Sequence, residues 1–178
     1  ARWSSVCYGD GKFVATADGS AIAAYSTDGI TWTQTTMPAS KDWGPVCYGN
    51  GRFVSVAWNS NAAAYSSDGM SWASTTMPAS TNWISVCYGN GKFVAVARAP
   101  GATAAYSSDG ITWTQAALPD SSLFWRSVCY GDGKFIAVPY LTTYIAYSTD
   151  GINWVHTIPI VTDPAGTDIS TDLKVVLG

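Results

Sequence analysis

The chain repeats one segment four times. A fifteen-residue stretch that begins at Trp3 returns at Trp43, Trp83 and Trp125, with a spacing of 40 or 42 residues. A period of this length with no helical pattern is typical of radial β-repeats, because each unit is one small sheet that cannot bury both of its faces alone. The repetition therefore predicts a stack of near-identical β units.

The third copy, residues 83–124, indicates how one unit is built. Asn90-Gly91 and Asp109-Gly110 are signals for tight turns between antiparallel strands, since such turns need residues that adopt positive φ angles. Around these turns the sequence predicts four short strands, at 84–88, 92–97, 104–107 and 111–115. Four antiparallel strands in about 40 residues are typical of one β-propeller blade.

We therefore predict an all-β fold, a β-propeller built from four four-stranded blades. The predicted blades cover about 1–42, 43–82, 83–124 and 125–158. Two closures are compatible with this count, a four-bladed ring and half of a larger ring completed by a second chain. Residues 159–178 depart from the repeat and are predicted to form a C-terminal tail or a latch strand.

Composition narrows the classes of function. All twelve acidic residues are Asp, and the abundance of Ser, Thr, Ala, Gly, Tyr and Trp favours strands and turns over helices. The net charge of −3 provides no basic surface for nucleic acid. No apolar run approaches the roughly 20 residues that span a bilayer, so we expect no membrane span.

The four cysteines are one repeat position copied four times, Cys7, Cys47, Cys87 and Cys129. Equivalent positions in neighbouring blades lie about 10 Å apart or more, beyond the roughly 7 Å between Cα atoms that a disulfide tolerates. We therefore expect reduced, buried thiols. A metal held by a ring of four thiolates is the alternative, but the spacing lacks any Cys-x-x-Cys pair. No metal and no cofactor are predicted.

A second signature carries a family resemblance. Residues 25–32, YSTDGITW, and their copies ending at Trp72, Trp113 and Trp154 resemble the Asp-box of bacterial neuraminidase repeats, S-x-D-x-G-x-T-W, with one residue fewer between Asp and Gly. The resemblance implies a sialidase-like propeller in which the box is a structural hairpin between the third and fourth strands. Its Asp residues, as Asx residues do, are expected to cap turn amides. They are Asp28, Asp68, Asp109 and Asp150.

The array as a whole also resembles the repetitive sialidase-like segments of phage tail or fibre proteins and of bacterial surface proteins. This resemblance implies an extracellular or virion-associated location. It also implies a homo-oligomer or a larger fibre protein as the setting of the chain.

The candidate site lies where the four copies differ. Antiparallel order places the second-to-third connections and the inter-blade connections at one end of the blades, and the residue after the second strand varies between copies. Trp, Tyr and Arg are enriched at binding hot spots, and flat aromatic rings suit sugars. The candidate ligand-binding residues are Asp18, Trp58, Asn59, Asn61, Arg98, Tyr140 and Tyr144, with Asn82 and Phe124 from the inter-blade loops. Drift in exposed loops is the alternative explanation.

Three functions are compatible with the sequence. The first is a binding module that recognises a glycan or a cell-surface receptor through the variable loops, as part of a phage tail fibre. The second is a structural spacer or assembly propeller. The third is a sialidase-type glycosidase, which is disfavoured because sialidases use a Tyr activated by a Glu and this chain has no Glu. We therefore predict that the chain is not an enzyme and has no catalytic residues.

Overall fold

The computed structural model describes residues 1–98, 103–140 and 142–158. Within those ranges the chain forms sixteen β-strands and no helix. Each set of four consecutive strands makes one antiparallel sheet, and no strand is exchanged between sheets. The predicted all-β class and the four four-stranded blades are confirmed. The predicted tail or latch strand, 159–178, lies outside the described residues.

The strand bounds repeat from blade to blade. Blade 1 contains β1 Arg2–Gly9, β2 Lys12–Asp18, β3 Ser20–Ser26 and β4 Thr33–Lys41. Blade 2 contains β5 Trp43–Gly49, β6 Arg52–Ala57, β7 Ser60–Ser66 and β8 Ala73–Thr81. Blade 3 contains β9 Trp83–Gly89, β10 Lys92–Ala97, β11 Thr103–Ser107 and β12 Thr114–Ala117. Blade 4 contains β13 Trp125–Gly131, β14 Lys134–Pro139, β15 Ile145–Ser148 and β16 Val155–Thr157.

The turn after the first strand of each blade has the predicted geometry. In blade 3, Asn90 has a φ of 44° and Gly91 a φ of 73°. Two consecutive residues with positive φ match the twist of the flanking strands, which is why this hairpin favours Asn-Gly or Asp-Gly. The turn therefore pairs β9 with β10 from Gly89 and Lys92 onward.

The Asp-box turns are longer than the sequence predicted. The fourth strand of blade 3 begins at Thr114 and not at residue 111. The carboxylate of Asp109 explains the difference, because its Oδ1 accepts hydrogen bonds from the amides of Ile111 and Thr112, both at 2.8 Å. Amides held by a side chain in this way do not join the strand ladder. The predicted capping role of the Asp side chain is thus present, and it extends the turn.

The blades stack with their first strands side by side. β1 packs against β5, β5 against β9, and β9 against β13, which places these strands at the centre of the array. The second strands are covered on both faces, and in β10 Phe93, Val94 and Val96 are fully buried. Sheets covered by neighbours on both sides are expected to be apolar throughout. The core therefore runs between blades, and each blade depends on its neighbours.

The two end faces of this stack are uncovered in the described residues. Val6 and Tyr8 on blade 1 are 58% and 61% exposed, whereas Val46, the counterpart of Val6 in blade 2, is 6% exposed. On blade 4, no atom of the described ranges lies within 4 Å of a Cβ built on Gly131. The four described blades therefore form an open arc with two open faces. No helix among the described residues is long and apolar enough to cross a membrane.

Candidate functional site

The end of the blades that carries the variable loops is held together by one repeated hydrogen bond. The amide of Trp58 donates to the carbonyl of Asp42 at 2.9 Å, and the amide of Arg98 donates to the carbonyl of Asn82 at 2.8 Å. In blade 4, the amide of Tyr140 donates to Phe124 at 2.8 Å. Each bond joins the loop after the second strand to the loop before the first strand. We call the surface formed by the nine candidate residues the variable end.

Blade 4 contributes the most exposed aromatic side chains to the variable end. Tyr140 and Tyr144 are 50% and 39% exposed, and Phe124, in the loop that leads into blade 4, is 48% exposed. The guanidinium of Arg126 lies 5.5 Å from the centre of the Tyr140 ring, and the His156 ring lies 5.6 Å from the Tyr144 ring. A cation over an aromatic face is attracted by the ring quadrupole. Blade 4 thus presents aromatic rings and a fixed cation to solvent.

Arg126 was not among the residues predicted from the sequence. It belongs to the first strand of its blade, at a position occupied by Ser4, Gly44 and Ile84 in the other copies. Comparison of the copies at this position, and not only after the second strand, would have identified it. It varies between copies as strongly as the predicted positions do.

Trp58 in blade 2 has a different environment from Tyr140. A Cβ atom at Gly44 would lie 2.3 Å from the indole Nε1 of Trp58, so the indole packs directly on the glycine backbone. The Nε1 atom is buried and has no hydrogen-bond partner in the described structure. The side chain is half-buried, and its ring is a packing element as well as a surface group.

The asparagines of the variable end divide into two kinds. Asn59 has a φ of 49°, so it occupies the turn position that Asn tolerates better than most residues. Asn61 is exposed on the following strand. Asn82 has a buried Oδ1 with no hydrogen-bond partner in the described structure, while the neighbouring Arg98 side chain is exposed. Blade 3 therefore offers one exposed donor and one buried, unpaired acceptor.

In blade 1 the variable end is neutralised locally. The carboxylate of Asp18 lies 3.4 Å from the guanidinium of Arg2. The Asp18 side chain is 13% exposed and that of Arg2 is 87% exposed, so the pair joins a largely buried carboxylate to a cation in solvent. The nine candidates thus group by blade. Blade 4 and the loop that leads into it hold the largest number of exposed aromatic rings.

A cavity lies elsewhere, on the open face of blade 1. Its volume is about 560 Å³, and it is lined by Trp3, Ser4, Ser5, Val6, Ala15 and Trp32. These residues are copies of positions that pack between blades in the rest of the array. The sequence does not predict this cavity, because Trp3, Val6 and Trp32 are the same in all four copies and only the stacking order leaves one copy uncovered.

The four cysteines are free thiols, but they are not equally buried. Cys7, Cys47 and Cys87 are half-buried, whereas Cys129 on blade 4 is exposed, so the expectation of a buried thiol fails there. Burial raises the pKa of the Cys7 and Cys87 thiols to about 12 and also raises that of Cys47 well above its ordinary value. These three thiols are therefore uncharged at neutral pH. The described residues contain no cluster of three or more metal-ligating side chains.

Together these features define a β-propeller with a variable end, and solved structures share its fold. A streptogramin B lyase matches with a TM-score of 0.76 and 12% identity, over 92% of this chain and 56% of that one. A virginiamycin B lyase from Staphylococcus aureus matches with a TM-score of 0.77 and 11% identity, over 90% and 56% of the two chains. YCF48 bound to D1 peptide matches with a TM-score of 0.63 and 17% identity, over 89% and 54%.

The chain thus spans about half the length of the structures that it matches. No protein-family model matches the chain, and no curated protein matches it. At these identities the likeness establishes the β-propeller fold alone. The resemblance to Asp-box, sialidase-like repeats therefore stays a prediction beyond the level of the propeller.

The comparisons correct one prediction. The chain was predicted not to be an enzyme, and structures that share its fold are named as lyases. The absence of Glu argued only against sialidase chemistry, and a propeller fold includes enzymes as well as other proteins. The prediction of no enzymatic activity was therefore wrong as a conclusion from fold and composition.

Proposed function

We propose that the chain is a binding module that recognises its partner through the variable end. The observation that carries this proposal is the exposure of three aromatic rings in blade 4 and the loop that leads into it, Phe124, Tyr140 and Tyr144, beside the cation of Arg126. Large aromatic rings left in solvent are typical of binding surfaces, where they supply contact area at low entropic cost.

The partner that we propose first is a glycan or another cell-surface receptor. Sugar rings stack their C–H faces on aromatic side chains, and Arg and Asn side chains can bond the surrounding hydroxyls. The variable end supplies Tyr140 and Tyr144 for stacking, and Arg98 and Asn61 as exposed polar groups. An extracellular or virion-associated location, in a phage tail fibre, belongs to the same proposal and is supported by the resemblance of the repeats.

A peptide segment is the second candidate ligand. The structure of YCF48 bound to D1 peptide has the same fold, so a propeller of this kind has been seen with a peptide. Exposed Tyr and Arg side chains suit peptide recognition as well as they suit sugars. The choice between the two ligand classes is therefore a matter for experiment.

A binding screen tests this proposal. The purified chain is applied to a glycan array and to a peptide library, and each hit is measured again with the Tyr140→Ala and Arg126→Ala variants. We expect each variant to weaken binding by roughly tenfold or more, as loss of a hot-spot residue does. Val155→Ala is the control, because Val155 is 53% exposed but lies on the outer strand of the same blade.

The outcomes separate the alternatives. A glycan hit that is lost in Tyr140→Ala and kept in Val155→Ala supports the first ligand class, and a peptide hit with the same pattern supports the second. Hits that are unchanged in both variants would place binding elsewhere on the molecule. No hit in either library would favour the structural spacer that the sequence also allows.

A further inference from the structure

The contacts between blades follow one template, and its main element is a tyrosine that packs on a glycine of the preceding blade. Cβ atoms built on Gly9, Gly49 and Gly89 would each lie 2.0 Å from a ring carbon of the next blade's tyrosine. No side chain other than hydrogen fits in that space. The three tyrosines are Tyr48, Tyr88 and Tyr130.

A second element joins an aliphatic side chain to the Asp-box glycine of the following blade. A Cβ at Gly69 would lie 2.7 Å from Val14, and a Cβ at Gly110 would lie 2.7 Å from Val54. The same contact joins Val94 to Gly151. This contact runs in the opposite sense to the first, because here the earlier blade supplies the side chain and the later blade supplies the glycine.

A serine adds a polar element to the template. The Oγ of Ser5 accepts a hydrogen bond from the amide of Val46 in the next blade at 3.1 Å. The Oγ of Ser85 accepts the equivalent bond from Val128, also at 3.1 Å. Pro45 occupies this position in blade 2, so two of the three described interfaces use the serine. Each interface thus fixes its register through packing in both senses and, where serine is present, through a hydrogen bond.

The open faces of the arc carry the two unmatched halves of this template. Blade 1 presents Tyr8, which is 61% exposed, and Gly29, whose Cβ position meets only Phe13 of the same blade. Blade 4 presents Gly131, which has no atom of the described residues within 4 Å of its Cβ position, and it also presents Ile136 and Ser127 at the positions of Val94 and Ser85. Each residue that a contact of the template needs from a neighbouring blade is therefore present on the opposite face.

We propose that blade 4 of one copy of this chain docks on blade 1 of a second copy and repeats the blade-to-blade interface. In this arrangement Tyr8 of the second copy covers Gly131 of the first, and Ile136 of the first copy packs against Gly29 of the second. The interface joins unlike faces, so two copies close into a ring when both pairs of faces meet. Four blades span about half of the propellers that they match, which leaves room for a second set of blades.

The central test is a substitution that affects docking and leaves the single arc unchanged. Gly131→Leu adds a side chain where the described part of one chain leaves open space, and Gly131 is not among the residues with positive φ. Light scattering at high protein concentration should give the mass of two chains for the wild type and of one chain for Gly131→Leu. Ala73→Leu, on the outer strand β8, is the matched control and should keep the mass of two chains.

A second measurement uses the alkylation rate of a thiol in the proposed interface. Cys129 is exposed on the docking face of blade 4, whereas its counterparts in the covered blades are half-buried. Alkylation of Cys129 in the wild type should therefore slow as the protein concentration rises, and it should stay fast in Gly131→Leu. Tyr8→Ala, which removes the other half of the contact, should behave as Gly131→Leu does.

Two results would overturn the proposal. One is a wild-type chain that stays a single copy at all concentrations, with Cys129 alkylated at a constant rate. The other is a two-chain assembly that survives both Gly131→Leu and Tyr8→Ala, because its contacts would then lie elsewhere. Circular dichroism of each variant checks that the sheets are intact.

Discussion

The ring of Tyr88 lies on the backbone of Gly49, so closely that a Cβ on the glycine would come 2.0 Å from the ring. Gly49 ends the first strand of blade 2, and Tyr88 belongs to the first strand of blade 3. The same pair recurs at each described interface. A single missing side chain therefore sets how closely two neighbouring blades approach.

The first prediction concerns this contact. Gly49→Ala should destabilise the fold by roughly 1–3 kcal/mol or more, because the added methyl group forces the Tyr88 ring and its blade apart. Gly131→Ala, measured at a protein concentration low enough to keep the chain a single copy, is the control at the equivalent position of blade 4, where no described atom lies within 4 Å of the Cβ position. Thermal or urea unfolding of the two variants measures the difference. Equal stability of both would mean that the blades do not pack in the way described.

The second prediction concerns the Asp-box. Asp109→Ala should cost about 1–2 kcal/mol of unfolding free energy, since it removes the acceptor for the amides of Ile111 and Thr112. Asp42→Ala is the control, because the described bond of Asp42 to Trp58 uses its backbone carbonyl. Urea unfolding measures both. An equal loss in the two variants would contradict the capping role.

The third prediction concerns pH. Hydrogen bonds from the Thr31 amide, the Ile30 amide and the Ser26 hydroxyl lower the pKa of Asp28 from 3.8 to about 2. A carboxyl group whose pKa is lower in the folded state stabilises the fold above its unfolded pKa, and this contribution is lost as the pH falls through the folded pKa. The melting temperature should therefore fall between about pH 4 and about pH 2.

The Asp28→Asn variant tests the origin of that fall. Its melting temperature should depend less steeply on pH over the same window, since asparagine does not titrate. Asp42→Asn should keep the wild-type slope, because the Asp42 carboxylate makes none of the turn hydrogen bonds described for Asp28. A slope that is identical in all three proteins would assign the acid sensitivity to other groups.

The fourth prediction separates two residues that the sequence grouped together. Trp58→Ala should lower the unfolding free energy by roughly 1–3 kcal/mol, because the indole is half-buried against Gly44. Tyr140→Ala should change stability by about 0.5 kcal/mol or less, as exposed substitutions usually do. Chemical unfolding of both variants gives the comparison. An unchanged unfolding free energy in Trp58→Ala would contradict this prediction and would mean that the indole contributes no packing.

The fold was predictable from the sequence because each repeat contains recognisable turn signals and strand patterns. Asn90-Gly91 fixed one turn by backbone sterics, and the apolar stretch at 93–97 indicated a strand covered on both faces. The prediction of the fourth strand failed at Ile111, since pattern alone does not show that a nearby carboxylate holds the amide. Local conformational preferences are readable from sequence, whereas side-chain competition for backbone groups is harder to read.

The sequence indicated which end of the blades carries the candidate residues, but it did not indicate their burial or their contacts. The end of the blades that carries the variable loops followed from antiparallel order. The half-buried state of Trp58 depends on Gly44, a residue on a different strand, and the accompanying cation of Tyr140 is Arg126, which occupies the same repeat position as Gly44. Both pairs join positions about fourteen residues apart. A comparison of single positions between copies does not reveal these two contacts, because each contact depends on the residues at two positions.

Each blade takes all four of its strands from one continuous stretch of chain, and none is lent to a neighbour. The boundaries between repeats therefore coincide with the boundaries between sheets. Recombination between two near-identical copies in the gene would insert or delete a whole blade and leave every remaining sheet complete. In such a protein the unit that is inherited is also one complete sheet, and the number of blades can change in evolution without any intermediate that has a broken sheet.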